Sequence, residues 1–144
     1  MASLTPLLAN FTPDELGMLS SFGDSRSYAE HDIVIRQGDM NEHLFLVLKG
    51  KLSVFQSSDG KQKRVARLEA GDSIGEVSVF DPGPASATVQ AASEAEVWLI
   101  TSEGLGRLHL ANPKVAYRLL TRITECLSKR LRQMNDQLVD LANR

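Results

Sequence analysis

A single cysteine, Cys126, stands in a chain of 144 residues, so no intrachain disulfide forms and no cysteine-based zinc site can be built. The three histidines, His31, His43 and His109, have no ligand-like spacing. No Ser-His-Asp or Cys-His ordering stands out that would set a nucleophile beside its base. Catalysis is therefore not expected, and neither a metal nor a cofactor is expected. No stretch comes near the roughly 20 apolar residues of a membrane span. The opening Met1-Ala2-Ser3-Leu4-Thr5-Pro6 lacks the basic region and apolar run of a secretory signal. A basic excess is missing as well. With a net charge of −2 the chain has no global field to gather nucleic acid, so no DNA binding by this chain alone and no membrane association are expected. The lone thiol agrees with a reducing compartment, and the cytoplasm is the expected location.

What is present suffices for a core. A hydrophobic content of 42% over 144 residues suits one soluble domain, 1–144, that needs no covalent staples. Two short helical segments are predicted first, Leu4 to Asn10 and Pro13 to Phe22. Thr12 precedes Pro13 and has Glu15 three residues later, the pattern of a capping box with proline at the first helical position. Leu16, Leu19 and Phe22 recur at helical spacing and are expected to pack on a β core.

From Tyr28 the pattern shortens to β runs of the kind Ile33-Val34-Ile35, Leu44 to Leu48, Leu52 to Phe55, Arg64 to Leu68, Ala87 to Ala91 and Val97 to Ile100. Turn signals fall between them at Gly38-Asp39, Lys49-Gly50, Asp59-Gly60 and Gly71-Asp72. Their spacing of roughly ten residues suits an antiparallel barrel or jelly roll. Asp59-Gly60 is a two-residue hairpin turn, and Lys61-Gln62-Lys63-Arg64 beside it reads as an exposed tip. After Ser102 the chain reads as helical. Asn112 caps a long amphipathic helix that starts at Pro113. Its apolar stripe is Leu120, Ile123, Leu127, Leu131, Met134 and Leu138, nearer an eleven-residue repeat than a heptad. Arg118, Arg122, Lys129, Arg130, Arg132, Asp136 and Asp140 occupy the opposite face.

The segment from Gly71 to Val89 carries the chemistry. A Gly-Asp turn leads into Gly75-Glu76, then an apolar stretch from Val77 long enough for one helical turn, then Pro82-Gly83-Pro84 and a small-residue strand. Such a junction offers free backbone N–H groups to an anion, with Gly75 permitting close approach of the main chain. Residues Gly75, Glu76, Pro84, Ser86, Ala87, Thr88 and Val89 resemble the phosphate-binding cassette of cyclic-nucleotide-binding domains, the type found in the bacterial catabolite activator and in protein kinase A regulatory subunits. The likeness extends over about residues 28–101 through Ile35 to Asp39 and Leu44 to Val54. His31 stands where the family often has glycine.

The resemblance implies a mainly β fold, a double-stranded β-helix (jelly roll) with short N-terminal helices over 1–27, the roll over 28–101 with its cassette at 71–89, and C-terminal helices over 102–144. The ligand it implies is cyclic AMP or cyclic GMP, in contact with Gly75, Glu76, Val77, Pro84, Ala85, Ser86, Ala87 and Arg130. Glu76 would accept from the ribose 2′-hydroxyl. The alternative is a residue that holds cassette N–H groups. Ser86 would donate to a phosphate oxygen beside the N–H groups of residues 85–87, unless it is there for tight strand packing. The family's phosphate-binding arginine is matched by Ala85. Arg130 lies where the family's long helix approaches the base, either supplying a cation or simply solvated.

The same helix dimerises in that family, and a second copy would cover the stripe from about residue 113. The expected role is thus a regulatory sensor that forms a homodimer and signals to an unknown effector protein, since no helix-turn-helix follows Arg144. Two alternatives remain at this stage. One is a ligand-free interaction module that kept the fold and lost nucleotide affinity, and the other is a fragment of a transcription factor.

Overall fold

The computed structural model describes residues 7–143. Helix α1 (Pro13–Ser20) starts on the expected box. The Thr12 N–H donates to Glu15 Oε1 at 2.9 Å and the Glu15 N–H donates to Thr12 Oγ1 at 3.2 Å. It stops two residues short of Phe22. Of the earlier segment, residues 4–6 lie outside the described residues, and residues 7–10 form a turn rather than a helix.

Ten strands follow: β1 (Asp24–Tyr28), β2 (Ile33–Ile35), β3 (Met40–Asn41), β4 (His43–Lys49), β5 (Lys51–Ser58), β6 (Lys61–Glu69), β7 (Ser73–Ile74), β8 (Gly83–Pro84), β9 (Thr88–Ala91) and β10 (Ala95–Thr101). They build two antiparallel four-stranded sheets, ordered β1-β10-β4-β7 and β2-β9-β5-β6, with β3 and β8 paired separately. This is the jelly roll. Its first strand begins at Asp24, so the roll opens before residue 28 and the N-terminal helical part ends earlier than 27. The sequence hides β1 because Asp24-Ser25-Arg26-Ser27 is polar and exposed, an edge strand without alternation. The hairpin between β5 and β6 turns on Asp59 (φ 54°) and Gly60 (φ 77°), the paired positive φ angles of a type I′ turn.

The two central strands of the first sheet, β4 and β10, are buried on both faces, which explains their unbroken apolar runs. Phe45, Val47, Val97 and Leu99 point into the roll with Ile35, Leu52, Val54 and Val89. Their neighbours Leu44, Leu46, Trp98 and Ile100 point the other way and meet the helices.

Those helices are α1, α2 (Ser102–Ala111) and α3 (Pro113–Ala142). Asn112 caps α3 as expected, with Oδ1 accepting from the Val115 N–H at 3.2 Å. Val115, Ala116, Leu119 and Ile123 are buried in the helix-side core with Leu105 and Leu108 of α2, and Cys126 and Leu127 pack against it. Each fully buried aliphatic chain there contributes about 1.5–3 kcal/mol.

The expected stripe therefore splits. Ile123 belongs to the chain's own core, whereas Leu131, Met134 and Leu138 are 61%, 57% and 62% exposed. The opposite face is not simply solvated either. Arg118 pairs with Glu15, donates to the Asn10 carbonyl at 2.7 Å and lies 4.6 Å over the Phe11 ring. Arg122 donates to the Ala9 carbonyl at 2.7 Å. Both arginines hold the N-terminal turn onto α3.

Candidate functional site

The site begins with a left-handed glycine. Gly75 adopts φ 89°, and a Cβ there would collide with the His43 carbonyl oxygen. No other residue type fits without strain. Asn41 fixes the neighbouring backbone: its Nδ2 donates to the His43 carbonyl and its Oδ1 accepts from the His43 N–H, each at 3.2 Å. Gly75 is thus required by close approach to β4, where sequence reading had assigned it to approach by a ligand.

Past Gly75 the chain makes the expected helical turn. The Val79 N–H donates to the Gly75 carbonyl at 3.1 Å and the Asp81 N–H to the Val77 carbonyl at 2.8 Å. The apolar stretch has a structural purpose, because Val79 is fully buried in the core shared with Leu119 and Ile123. Cassette and terminal helix therefore share one packed cluster.

Glu76 points inward, with its side chain only 2% exposed. Its Oε1 accepts from Ser73 Oγ at 2.6 Å, and its Oε2 accepts from Arg130 Nη1 at 2.7 Å. Arg130 Nη2 also reaches the Ser73 carbonyl at 3.3 Å. In place of the alternative reading, in which Glu76 holds cassette N–H groups, the carboxylate is held by this hydroxyl and guanidinium clamp, and Arg130 is paired rather than simply solvated. Cys126 lies close by. Burial first, and the Glu76 carboxylate second, push its thiol up, which disfavours the thiolate form.

A cavity of about 200 Å³ opens in front of this clamp. Its wall brings together Gly75, Glu76, Val77, Ala85, Ser86, Ala87 and Arg130 of the expected set. Pro84 is left out, because it is exposed in β8 and paired with Met40. One expected anion donor is also spent, since the Ala85 N–H donates to the Asp39 carbonyl at 2.8 Å. The Ser86 and Ala87 N–H groups have no backbone acceptor among the described residues. They stand with the Ser86 hydroxyl at the wall of the cavity. The guanidinium and carboxylate in the wall balance each other, so the cavity carries no net positive charge.

Sequence reasoning missed Ser73, Asn41 and Ile35. Ser73 precedes Glu76 by three residues, which is the only local signal for its role. Among the described residues no group of His, Cys, Asp and Glu is arranged to hold a metal, and no helix is long and apolar enough to cross a membrane.

A family model described as "Cyclic nucleotide-binding domain" matches residues 25–112. The chain is 31% identical over 135 residues to a "Cyclic AMP receptor protein" of Thermus thermophilus, covering 93% of this chain and 61% of that one. It is 28% identical over 104 residues to a "cAMP-dependent protein kinase regulatory subunit" of Blastocladiella emersonii, covering 72% of this chain and 26% of the relative. In structure it is similar to the catabolite activator protein of Thermus thermophilus, with a TM-score of 0.83 at 29% identity, over 96% of this chain and 63% of the other. The chain thus spans less than two thirds of each of these proteins. The family is a regulatory, ligand-binding one and not catalytic. On the matched segment and the cassette geometry together, the chain belongs to the cyclic nucleotide-binding domain family.

Proposed function

We propose that the chain acts as a single sensor domain whose cavity takes cyclic AMP or cyclic GMP at low affinity and signals through α3. The observation that carries this reading is the Glu76–Arg130 contact, which ties the cassette turn to the terminal helix at the wall of the cavity. A ribose hydroxyl entering there has to share the Glu76 carboxylate with Arg130, so occupancy is felt directly by α3. Val79, packed beside Ile123, transmits the same displacement through the core.

Low affinity follows from Ala85. A charge-assisted phosphate contact contributes about 1.5–3 kcal/mol, and the remaining donors at Ser86 and Ala87 are neutral. A dissociation constant of tens of micromolar or weaker is expected on the order-of-magnitude scale. The exposed Leu131, Met134, Leu138 and Leu141 support a homodimer seam along the far half of α3, with output to an effector protein in the cytoplasm. With a net charge of −2, this chain by itself contacts neither DNA nor membrane in this reading.

Ala85 favours one second reading, a ligand-free interaction module that retained the fold. Calorimetric titration with cyclic AMP, cyclic GMP and a cyclic dinucleotide separates the two. Saturable heat with a cyclic mononucleotide supports the sensor. No heat with any of them supports the module.

A further inference from the structure

Arg130 stands in the walls of two cavities, the cassette cavity in front and a rear one of about 380 Å³ between β6 and α3. Each wall holds one carboxylate, Glu76 in front and Asp72 behind. We propose that Asp72 is a positioning residue for Arg130: it is the second acceptor, to which the guanidinium turns when the ligand of the front cavity takes Glu76.

The clamp on Glu76 fixes which oxygen a ligand has to win. Ser73 Oγ donates to Oε1 at 2.6 Å and Arg130 Nη1 donates to Oε2 at 2.7 Å, so a hydroxyl entering the front cavity competes with Arg130 for Oε2. Ser73 keeps the carboxylate from turning after the guanidinium. Arg130 already reaches rearward, with Nη2 donating to the carbonyl of Ser73, the residue next to Asp72, at 3.3 Å. Asp72 is held in place. Its carbonyl accepts from the Val47 N–H at 2.9 Å, its N–H donates to the Glu69 carbonyl at 2.9 Å, and its Oδ2 accepts from the Glu69 N–H at 2.8 Å. Among the described residues its Oδ1 accepts no hydrogen bond and its carboxylate has no ion pair.

Burial sets the order in which the two acceptors are used. The Glu76 side chain is 2% exposed, and a buried carboxylate stripped of its cation is costly. Asp72 is half-buried, so water serves its open oxygen at little cost. Arg130 therefore rests on Glu76 and turns to Asp72 once another donor satisfies Glu76. Arg67 and Lys129 share the rear wall, yet both are exposed and neither pairs with Asp72. Arg130 alone of the three is already bonded to the adjoining residue. The use of this movement by a ligand rests on the reading of the front cavity as a nucleotide site, whereas the second acceptor itself does not.

The first test needs no ligand. Glu76→Gln removes the front charge and keeps an oxygen for the Ser73 hydroxyl, and Asp72→Asn keeps an acceptor for the Glu69 N–H. Glu76→Met, of similar length, is a second route to the same state. Asp72→Asn and Arg130→Gln, singly and together, are compared by urea unfolding in wild type and in the Glu76 variant. Their effects should be additive in wild type. In the Glu76 variant they should be coupled by roughly two- to fivefold in the unfolding equilibrium constant, the range of a partly exposed ion pair. The side-chain carboxyl 13C signal of Asp72 should shift in the Glu76 variant and return when Arg130→Gln is added. The absence of coupling there, coupling already present in wild type, or coupling of Asp72 to Arg67 or Lys129 in place of Arg130 overturns the proposal. Cyclic AMP added to wild type tests the ligand's part separately. The Asp72 carboxyl signal should move saturably in the same direction as in the Glu76 variant. Saturable shifts in the cassette with that signal unmoved overturn the proposal, whereas no saturable shift anywhere counts against the nucleotide reading and leaves the unfolding result to decide on Asp72.

Discussion

Arg130 on the last helix donates a 2.7 Å hydrogen bond to Glu76, 54 residues earlier in the cassette turn. The carboxylate is buried and the guanidinium is half exposed, so the two ends of this contact differ in what water can do for them. Stripping a partner from a buried pair costs about 3–5 kcal/mol. Arg130 is reached by solvent, so Arg130→Gln is expected to cost less, about 1–2 kcal/mol, in urea unfolding. Adding Glu76→Gln removes the stranded charge and should recover part of that loss. An unchanged midpoint in the single variant would mean that the pair contributes nothing.

Gly75→Ala is expected to destabilise the fold. A left-handed non-glycine residue costs about 1–3 kcal/mol, and here the new methyl also meets the His43 carbonyl. A loss of about 2 kcal/mol or more should appear in denaturant unfolding. Full stability in the variant would show that β4 yields easily at this point.

Both features divide what the sequence discloses from what it conceals. Gly75 and Glu76 were legible because turn chemistry is local, and the strands Leu44–Leu48 and Val97–Ile100 announced themselves by continuous apolar runs. The partner of Glu76 was not legible, since a lysine-arginine cluster on a polar helix face reads as solvated until the fold brings a carboxylate to it. β1 escaped for a related reason: a polar edge strand shows no period. His31 was seen only as a departure from glycine. Its φ of 76° supplies the cause, because that position needs a left-handed backbone, held by the His31 N–H donating to the Ala91 carbonyl at 2.8 Å. The apolar stripe of α3 was real, yet periodicity alone does not say which residues face the chain's own core.

That division decides which residues test the dimer. Leu127 packs against the core, so a charge there would damage the fold as well as the seam. Leu131→Asp/Leu138→Asp replaces residues that are 61% and 62% exposed. The double variant should be a folded monomer by light scattering, against a wild-type dimer at micromolar concentration. A monomeric wild type would contradict the seam.

Acid should loosen the N-terminal attachment. The capping hydrogen bond from the Thr12 N–H, and then Arg118, hold the Glu15 carboxyl below its usual range. A carboxylate with a lowered folded-state pKa stabilises fully above the unfolded value of about 4.3. That contribution is lost as pH falls through the folded value. Glu15→Gln should therefore be less stable than wild type at pH 7, with the gap closing in acid when midpoints are compared at pH 7 and about pH 3. A gap that persists unchanged in acid would assign the effect to packing.

The central claim is that the missing guanidinium at position 85 sets the affinity of the cassette cavity. Calorimetric titration of wild type and Ala85→Arg with cyclic AMP and cyclic GMP tests it most directly. Regaining about 2–3 kcal/mol of phosphate contact predicts tighter binding by roughly tenfold to a hundredfold, and Glu76→Ala in the same background should reverse part of it. Nanomolar binding by wild type, or no gain in Ala85→Arg, would contradict the account.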